Sequence, residues 1–345
     1  MARIVMTDDG VEFDGSTPER GPLGGAEAAF LSLAEALAAR GHKVRVCNNC
    51  PAPLDRNGVA WTPIAAGVPE GCDLYIGNRG HRLIGLAPKA RARVFWLHNP
   101  GDYILKPRYL WPLYRHRPVL VFSGDYHAAT VPGWVPSGGR AVIPYGLDAA
   151  YRSAQPRRDP PPPVAIFTSN PLRGLDWLLD LWERRIRPAV PAAELHLFAG
   201  PEVYGSVGAR KADAMAAVLA RADAMAAAGV HRHAPVPKPE LVEPLRQARV
   251  MLYRGDPGET FCLAVAEAQA LGLPAVVTAL GSLPERVVDG VSGTVARDED
   301  AFVAAAVALL TDDALWRRQH EAALASQKGL SWAEVAARFA AFIPP

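Results

Sequence analysis

A chain of 345 residues, 50% hydrophobic and 21% charged, has apolar mass for about two domains and is not a disordered segment. Its 37 Lys/Arg against 35 Asp/Glu leave a net charge of +2, which argues against a general nucleic-acid coat protein. No run nears the roughly 18 apolar residues that cross a bilayer. The first residues lead into a strand pattern with no secretory leader, and four scattered cysteines (Cys47, Cys50, Cys72, Cys262) make no disulfide framework. The expected compartment is the cytoplasm.

In chain order, Arg3–Met6, Lys43–Asn48, Asp73–Gly77, Val94–His98 and Val119–Ser123 read as strands. Ala26–Arg40 reads as a helix with Phe30, Leu33, Ala34 and Leu37 on one face and Gly41 as its stop. At 151–163 the composition turns to Arg and consecutive Pro, which cannot continue a helix or a central strand, so a stiff linker is expected there. A second series follows: strand Val164–Thr168, helix Leu175–Arg187, strand Glu194–Ala199, helix Ala209–Ala228, strand Arg249–Tyr253, helix Phe261–Leu271 and strand Pro274–Thr278. The stretch Asp300–Phe342 is expected to be helical nearly throughout, with Trp316 and Trp332 as packing anchors. Strands alternating with helices imply parallel α/β layers. The expected architecture is two facing, doubly wound, Rossmann-like domains with a ligand cleft between them. They cover 1–150 and 164–331.

The segment Gly258–Pro274 carries the most chemistry. Thr260 reads as an N-cap, Gly272 as the stop, and Pro274 blocks continuation. Glu259 then precedes a helix and Glu267 lies two turns along it, about 12 Å of rise on nearly the same face. That exceeds the roughly 5–9.5 Å of a glycosidase carboxylate pair. It suits two acids gripping different parts of one long ligand, while the helix N-terminus is ready for an anion such as a diphosphate.

Glu259, seven residues, then Glu267-Ala268 and Ala270-Leu271-Gly272-Leu273-Pro274 resembles the donor signature of retaining glycosyltransferases of family 4, which have the GT-B fold. In order along the chain, Leu23-Gly24-Gly25-Ala26-Glu27 resembles that family's N-terminal glycine loop. Val142–Asp148 resembles the close of its first domain, and Gly281–Glu285 with Asp289–Gly293 the region after the signature. The resemblance also implies that 332–345 returns to the first domain. The resemblance implies transfer of a sugar from a UDP-, GDP- or ADP-linked donor to a carbohydrate, lipid-linked or small-molecule acceptor. It gives Glu259 the donor-sugar hydroxyls, Glu267 the ribose, and Thr260, Phe261, Cys262 and Leu263 the backbone approach to sugar and phosphate. Ser169 and Arg173 would meet the diphosphate, with Arg173 in the usual Lys place and Thr168 where an Arg is usual. Gly24 and Gly25 would let backbone approach the donor, and Pro237 and Lys238 lie in the base-reading loop. His98 would contact the donor sugar, so Glu259, His98 and Arg173 form the catalytic set. A nucleotide-sugar epimerase, a phosphorylase or a catalytically silent binding protein would use the same fold.

Other signals point elsewhere. Gly21-Pro22-Leu23-Gly24-Gly25 has the wrong spacing for a dinucleotide fingerprint. Asp298-Glu299-Asp300 matches a D-x-D motif in text but opens a helix, where acids serve as caps; no metal and no cofactor are expected. Cys47 and Cys50 have metal spacing without a second pair. Between Arg79 and Arg117, nine Lys/Arg face one acid, Asp102. There Arg108, Trp111, Arg115 and Arg117 are candidates for an acceptor surface or for peripheral contact with the inner face of a membrane; nucleic acid is not expected.

Overall fold

The computed structural model describes residues 1–200 and 211–345. The chain divides into two compact units, Met1–Gly146 with Leu330–Pro345, and Leu147–Gly329.

The first unit is built on β1 (Arg3–Asp8), β2 (Lys43–Asn48), β3 (Leu54–Arg56), β4 (Val59–Pro63), β5 (Leu74–Asn78), β6 (Ala92–Trp96), β7 (Val119–Phe122) and β8 (Gly139–Val142). They form one sheet in the order β3-β4-β2-β1-β5-β6-β7-β8, parallel except for the β3/β4 hairpin. The central strands are buried on both faces, hence their near-continuous apolar runs. The order reverses between β1 and β5, which makes their carboxyl ends a switch point, where α/β sheets hold ligands. Helix α1 (Gly25–Ala39) buries the expected Phe30, Leu33, Ala34 and Leu37. The basic run contains α2 (Pro107–His116), whose Pro sits in the tolerated first turn and whose end is Arg117 in a left-handed conformation (φ 43°).

The second unit is a six-stranded parallel sheet of β9 (Val164–Phe167), β10 (Glu194–Phe198), β11 (Val230–His233), β12 (Val250–Tyr253), β13 (Ala275–Thr278) and β14 (Gly293–Ala296). Its order is β11-β10-β9-β12-β13-β14, so the switch point lies between β9 and β12. Around it are helices α3 (Leu175–Leu181), α4 (Ala212–Ala224), α5 (Lys238–Gln247), α6 (Leu263–Ala270), α7 (Glu299–Thr311) and α8 (Asp313–Ser326). The last helix, α9 (Trp332–Ala340), belongs to the first unit. It packs on α1 and sets Phe339 edge-on to Trp96 at 5.1 Å.

Several expectations change. The proline-rich 151–163 is no free linker but part of the second unit. Its Arg157 N–H donates to His320 at 2.9 Å, and the Pro161 carbonyl accepts from Arg249 at 3.3 Å. Thr260 does not cap α6, which starts at Leu263 behind Cys262, a residue at φ 63°. The helix expected over Leu175–Arg187 widens into a π turn at Trp182–Ile186, just before Pro188, whose missing N–H cannot serve the carbonyl four residues back. The helix expected over Ala209–Ala228 is α4 plus a short 3-10 turn at Ala226–Ala228; Ala209 and Arg210 lie outside the described residues. The stretch Asp300–Phe342 is helical nearly throughout, as expected, divided into three helices. Asp298 does cap α7, its carboxylate accepting from Ala301 N–H at 2.8 Å. All four cysteines are buried free thiols.

Candidate active site

At the switch point of the second sheet, strand ends deliver side chains to one carboxylate. Thr168 and Ser169 follow β9 and Tyr253 closes β12. The Tyr253 hydroxyl donates to Glu259 and lies 3.2 Å from Ser169 Oγ. Arg173 donates from Nη1 to the same Glu259 oxygen. Glu259 is 4% exposed, and its backbone is fixed as well: its N–H donates to the Asp256 carbonyl at 2.9 Å and its carbonyl accepts from Ser282 N–H at 3.0 Å. A Cβ at Gly281 would come within 2.6 Å of that carbonyl, so this turn needs glycine.

Electrostatics keep these groups in defined states. Burial opposes the Arg173 charge, but the Glu259 carboxylate and Tyr253 outweigh it and push its pKa up. Burial first, then Cys262 and Glu259, raise Tyr253 well above the ordinary phenol range, so it stays a donor. Thr168 Oγ1 is buried and has no hydrogen-bond partner among the described residues. Arg254, the other cation near the end of β12, lies over the Trp177 ring at 5.6 Å.

A second pair lies along α6. Glu267, 5% exposed, accepts from Lys238 Nζ at the start of α5. Burial raises the Glu267 carboxyl, and Lys238 opposes that shift. Pro237 caps α5, and the Lys238 carbonyl accepts from the Tyr151 hydroxyl at 2.7 Å. Between the two acids run buried Thr260, Phe261 and Cys262, with Arg286 over the Phe261 ring at 4.3 Å, and then Leu263, where α6 opens. The second unit thus brings Ser169, Arg173 and Glu259 together, and joins Lys238 to Glu267.

The first unit has its own polar network at its switch point. Asp8 ends β1 and Asn78 ends β5. Asn78 donates to Asp8 and accepts from His98 Nε2 at 2.5 Å, while His98 Nδ1 lies 2.5 Å from the Tyr145 hydroxyl. The relay is consistent with an Nε2–H imidazole accepting from Tyr145. Burial above all, then Arg79 and His127, hold His98 well below its ordinary pKa, so it is neutral at pH 7. Arg79 bonds Asp8 at 3.2 Å and, at 2.7 Å, Glu27 in the first turn of α1 behind Gly24 and Gly25. On α2, Trp111 is 68% exposed, in the same helix as Arg108 and Arg115 and just before Arg117.

Sequence reasoning passed over Tyr253, Tyr151, Asp8, Asn78, Arg79 and Tyr145. A signal existed for three of them: Asp8, Asn78 and Tyr253 are polar-tipped residues ending apolar strands that flank a reversal of strand order.

Residues 162–312 match the family model described as glycosyl transferases group 1. The D-inositol 3-phosphate glycosyltransferase of Xylanimonas cellulosilytica is 37% identical over 107 residues, 30% of this chain and 25% of that one. Its counterpart from Kribbella flavida is 35% identical over 100 residues, 28% and 23% of the two chains. The match thus spans about a quarter of these curated relatives. Among solved structures, sucrose-phosphate synthase from Thermosynechococcus elongatus superposes with TM-score 0.74 at 16% identity, over 99% of this chain and 98% of that one. Anabaena Alr3699/HepE, in complex with UDP and glucose, gives 0.71 at 14% over 99% of both, and WaaG, involved in lipopolysaccharide biosynthesis, 0.68 at 16% over 99% of both. Residues 162–312 are therefore similar to group 1 glycosyl transferases, within a chain of GT-B fold.

Proposed function

We propose that this chain is a glycosyltransferase that moves a sugar from a nucleotide-diphosphate sugar to an acceptor, releasing the nucleoside diphosphate, with retention of configuration and without a metal. The observation that carries the reading is the convergence of Arg173 and Tyr253 on the buried Glu259 at the second switch point, within the segment that matches the family model.

In this reading Glu259 accepts donor-sugar hydroxyls and Glu267 those of the ribose. Arg173, which can bind phosphate through two N–H groups, exchanges its carboxylate partner for diphosphate oxygens, alongside the N-terminal N–H groups of α6. The phosphate then takes the acceptor proton as it leaves, so no protein base is assigned. His98, neutral with both ring nitrogens engaged, is a positioning residue rather than a proton carrier. The complexes of HepE with UDP and UDP-glucose make UDP the first nucleotide to try. We place the enzyme in the cytoplasm, with peripheral contact at the inner membrane face through α2, and with a glycan, a glycolipid or a small molecule as acceptor.

A thermal-shift screen of UDP, GDP, ADP and their sugars identifies the donor, since a ligand of the folded state raises its melting temperature. With that donor, Glu259→Ala is expected to cut transfer about a hundredfold, the worth of charge-assisted hydrogen bonds, while leaving the melting shift given by the nucleotide alone. Unchanged transfer in Glu259→Ala overturns the donor-site assignment. Free sugar without acceptor product indicates hydrolysis or phosphorolysis instead. Transfer is expected to persist in EDTA.

A further inference from the structure

The outer edge of the second sheet carries a cluster that sugar transfer does not use. Side chains alternate along a strand, so Glu194, His196 and Phe198 share one face of β10, while Leu195 and Leu197 are buried on the other. The parallel register sets His231 of β11 beside His196, and His233 beside Phe198. Four polar groups, one carboxylate and three imidazoles, thus lie side by side on two adjacent strands.

Ligand atoms of Glu194, His196 and His231 all lie within 4.8 Å of one another. His196 Nε2 is 3.0 Å and His231 Nε2 3.9 Å from the same Glu194 oxygen. Ligands held about 2.0–2.2 Å from one ion stand roughly 3.0–3.5 Å apart, so small side-chain rotations close the trio on an ion. The side chains are 28–48% exposed, so an ion can enter from solvent.

The fourth group makes the arrangement specific. His196 Nδ1 lies 3.2 Å from His233 Nε2, on the side away from Glu194. The His233 ring stacks on Phe198, centroids 4.6 Å apart and planes 15° apart. His233 Nε2 is thus placed to accept a hydrogen bond from His196 Nδ1–H. A metal-binding histidine commonly donates from its far nitrogen in this way, which leaves the near nitrogen's lone pair for the ion. Arg187 stands close by, its guanidinium donating to the Ala193 carbonyl at 2.5 Å.

We propose that Glu194, His196 and His231 bind a divalent transition ion of the zinc type, with His233 orienting His196. Two imidazoles and a carboxylate favour such ions over magnesium or calcium, which prefer all-oxygen sets. The ion ties edge strand β11 to β10 and keeps positions open to water.

The test is calorimetric titration of the chelator-treated full chain with zinc chloride, with magnesium chloride in parallel. One equivalent of zinc is expected to bind and to raise the melting temperature, with no response to magnesium at the same concentration. His196→Ala and His231→Ala should each weaken zinc binding at least tenfold, and His233→Phe about tenfold, as for loss of an outer-sphere partner. Glu194→Gln, which keeps shape and removes charge, is the second probe should an alanine variant fold poorly, and it too should weaken binding at least tenfold. Melting shifts with nucleotide should be the same in all variants. No binding up to millimolar zinc, or unchanged affinity in the His196→Ala/His231→Ala double variant or in Glu194→Gln, overturns the proposal.

Discussion

Glu259 is held by two donors of different kinds: Arg173, whose side chain is 38% exposed, and Tyr253, which is fully buried. The guanidinium can turn away when phosphate arrives, whereas the phenol is fixed by its strand and keeps the carboxylate aimed. Tyr253→Phe removes that fixed donor at almost constant volume. Transfer kcat/KM should fall about tenfold, the worth of one hydrogen bond to a charged group, with the nucleotide melting shift unchanged; a matching loss of nucleotide binding would mean that Tyr253 acts through the fold. Glu259 and Glu267 stood out in the sequence through the resemblance that their spacing and the flanking Ala270–Pro274 carry, and the structure makes both of them buried acids with basic partners. Tyr253 was not, since a tyrosine closing an apolar strand reads as core until its hydroxyl is seen to have a partner. Cys262 gave no sign either of its left-handed backbone, which moves the helix start from the expected cap Thr260 to Leu263.

Among elements, α2 departs furthest from the expectation for its segment, a basic run of no stated conformation. Its Tyr109 and Leu113 are buried while Trp111 and Tyr114, 68% and 61% exposed, stack with centroids 6.1 Å apart. Two prolines within ten residues hid it, but one occupies the first turn and the other is tolerated within. Exposed rings beside Arg108, Arg115 and Arg117 have the composition of an interfacial helix. Neutralising the three arginines should weaken binding to phosphatidylserine vesicles by about a hundredfold, at ~1 kcal/mol per charge near the surface, and the difference should shrink at high salt. Equal sedimentation of both proteins with vesicles would return α2 to an ordinary solvated face. Most strands were readable to within two residues because both-sided burial writes itself as apolar runs. Short or polar edge strands such as β3, β8 and β11 carry no such run and were missed. The proline stretch announced stiffness but not where it packs, which depends on distant Arg249 and His320.

On the scale of the whole molecule, several histidines are stored neutral. His127 is pushed down to about 4 by burial, partly offset by its bond to the Asn99 carbonyl, and burial also leads the lowering of His98 and His320. A base with a depressed folded pKa gains its proton more readily unfolded, so its contribution to stability is present above the ordinary value and is lost as pH falls. For His127 the loss runs from about pH 6.5 to 4 and amounts to about 3 kcal/mol. Glu267 and Asp9, acids raised chiefly by desolvation, work in the opposite sense. The melting temperature should therefore fall steadily between pH 6.5 and 4, and a flat profile there would contradict the neutral buried state of these imidazoles. The α/β character of both units was legible from the alternation of runs and stops, and the division at Gly146 and Gly329 lies close to the expected bounds at 150 and 331; composition did not show that 151–163 packs with the second unit, because that depends on contacts. That division sets an order of events during synthesis. The second unit is one continuous stretch and can close as soon as it leaves the ribosome. The first emerges earlier yet lacks α9, so Trp96, whose ring lies 4.6 Å from that of His98 at an angle of 49°, waits without its Phe339 wall until α9 is made.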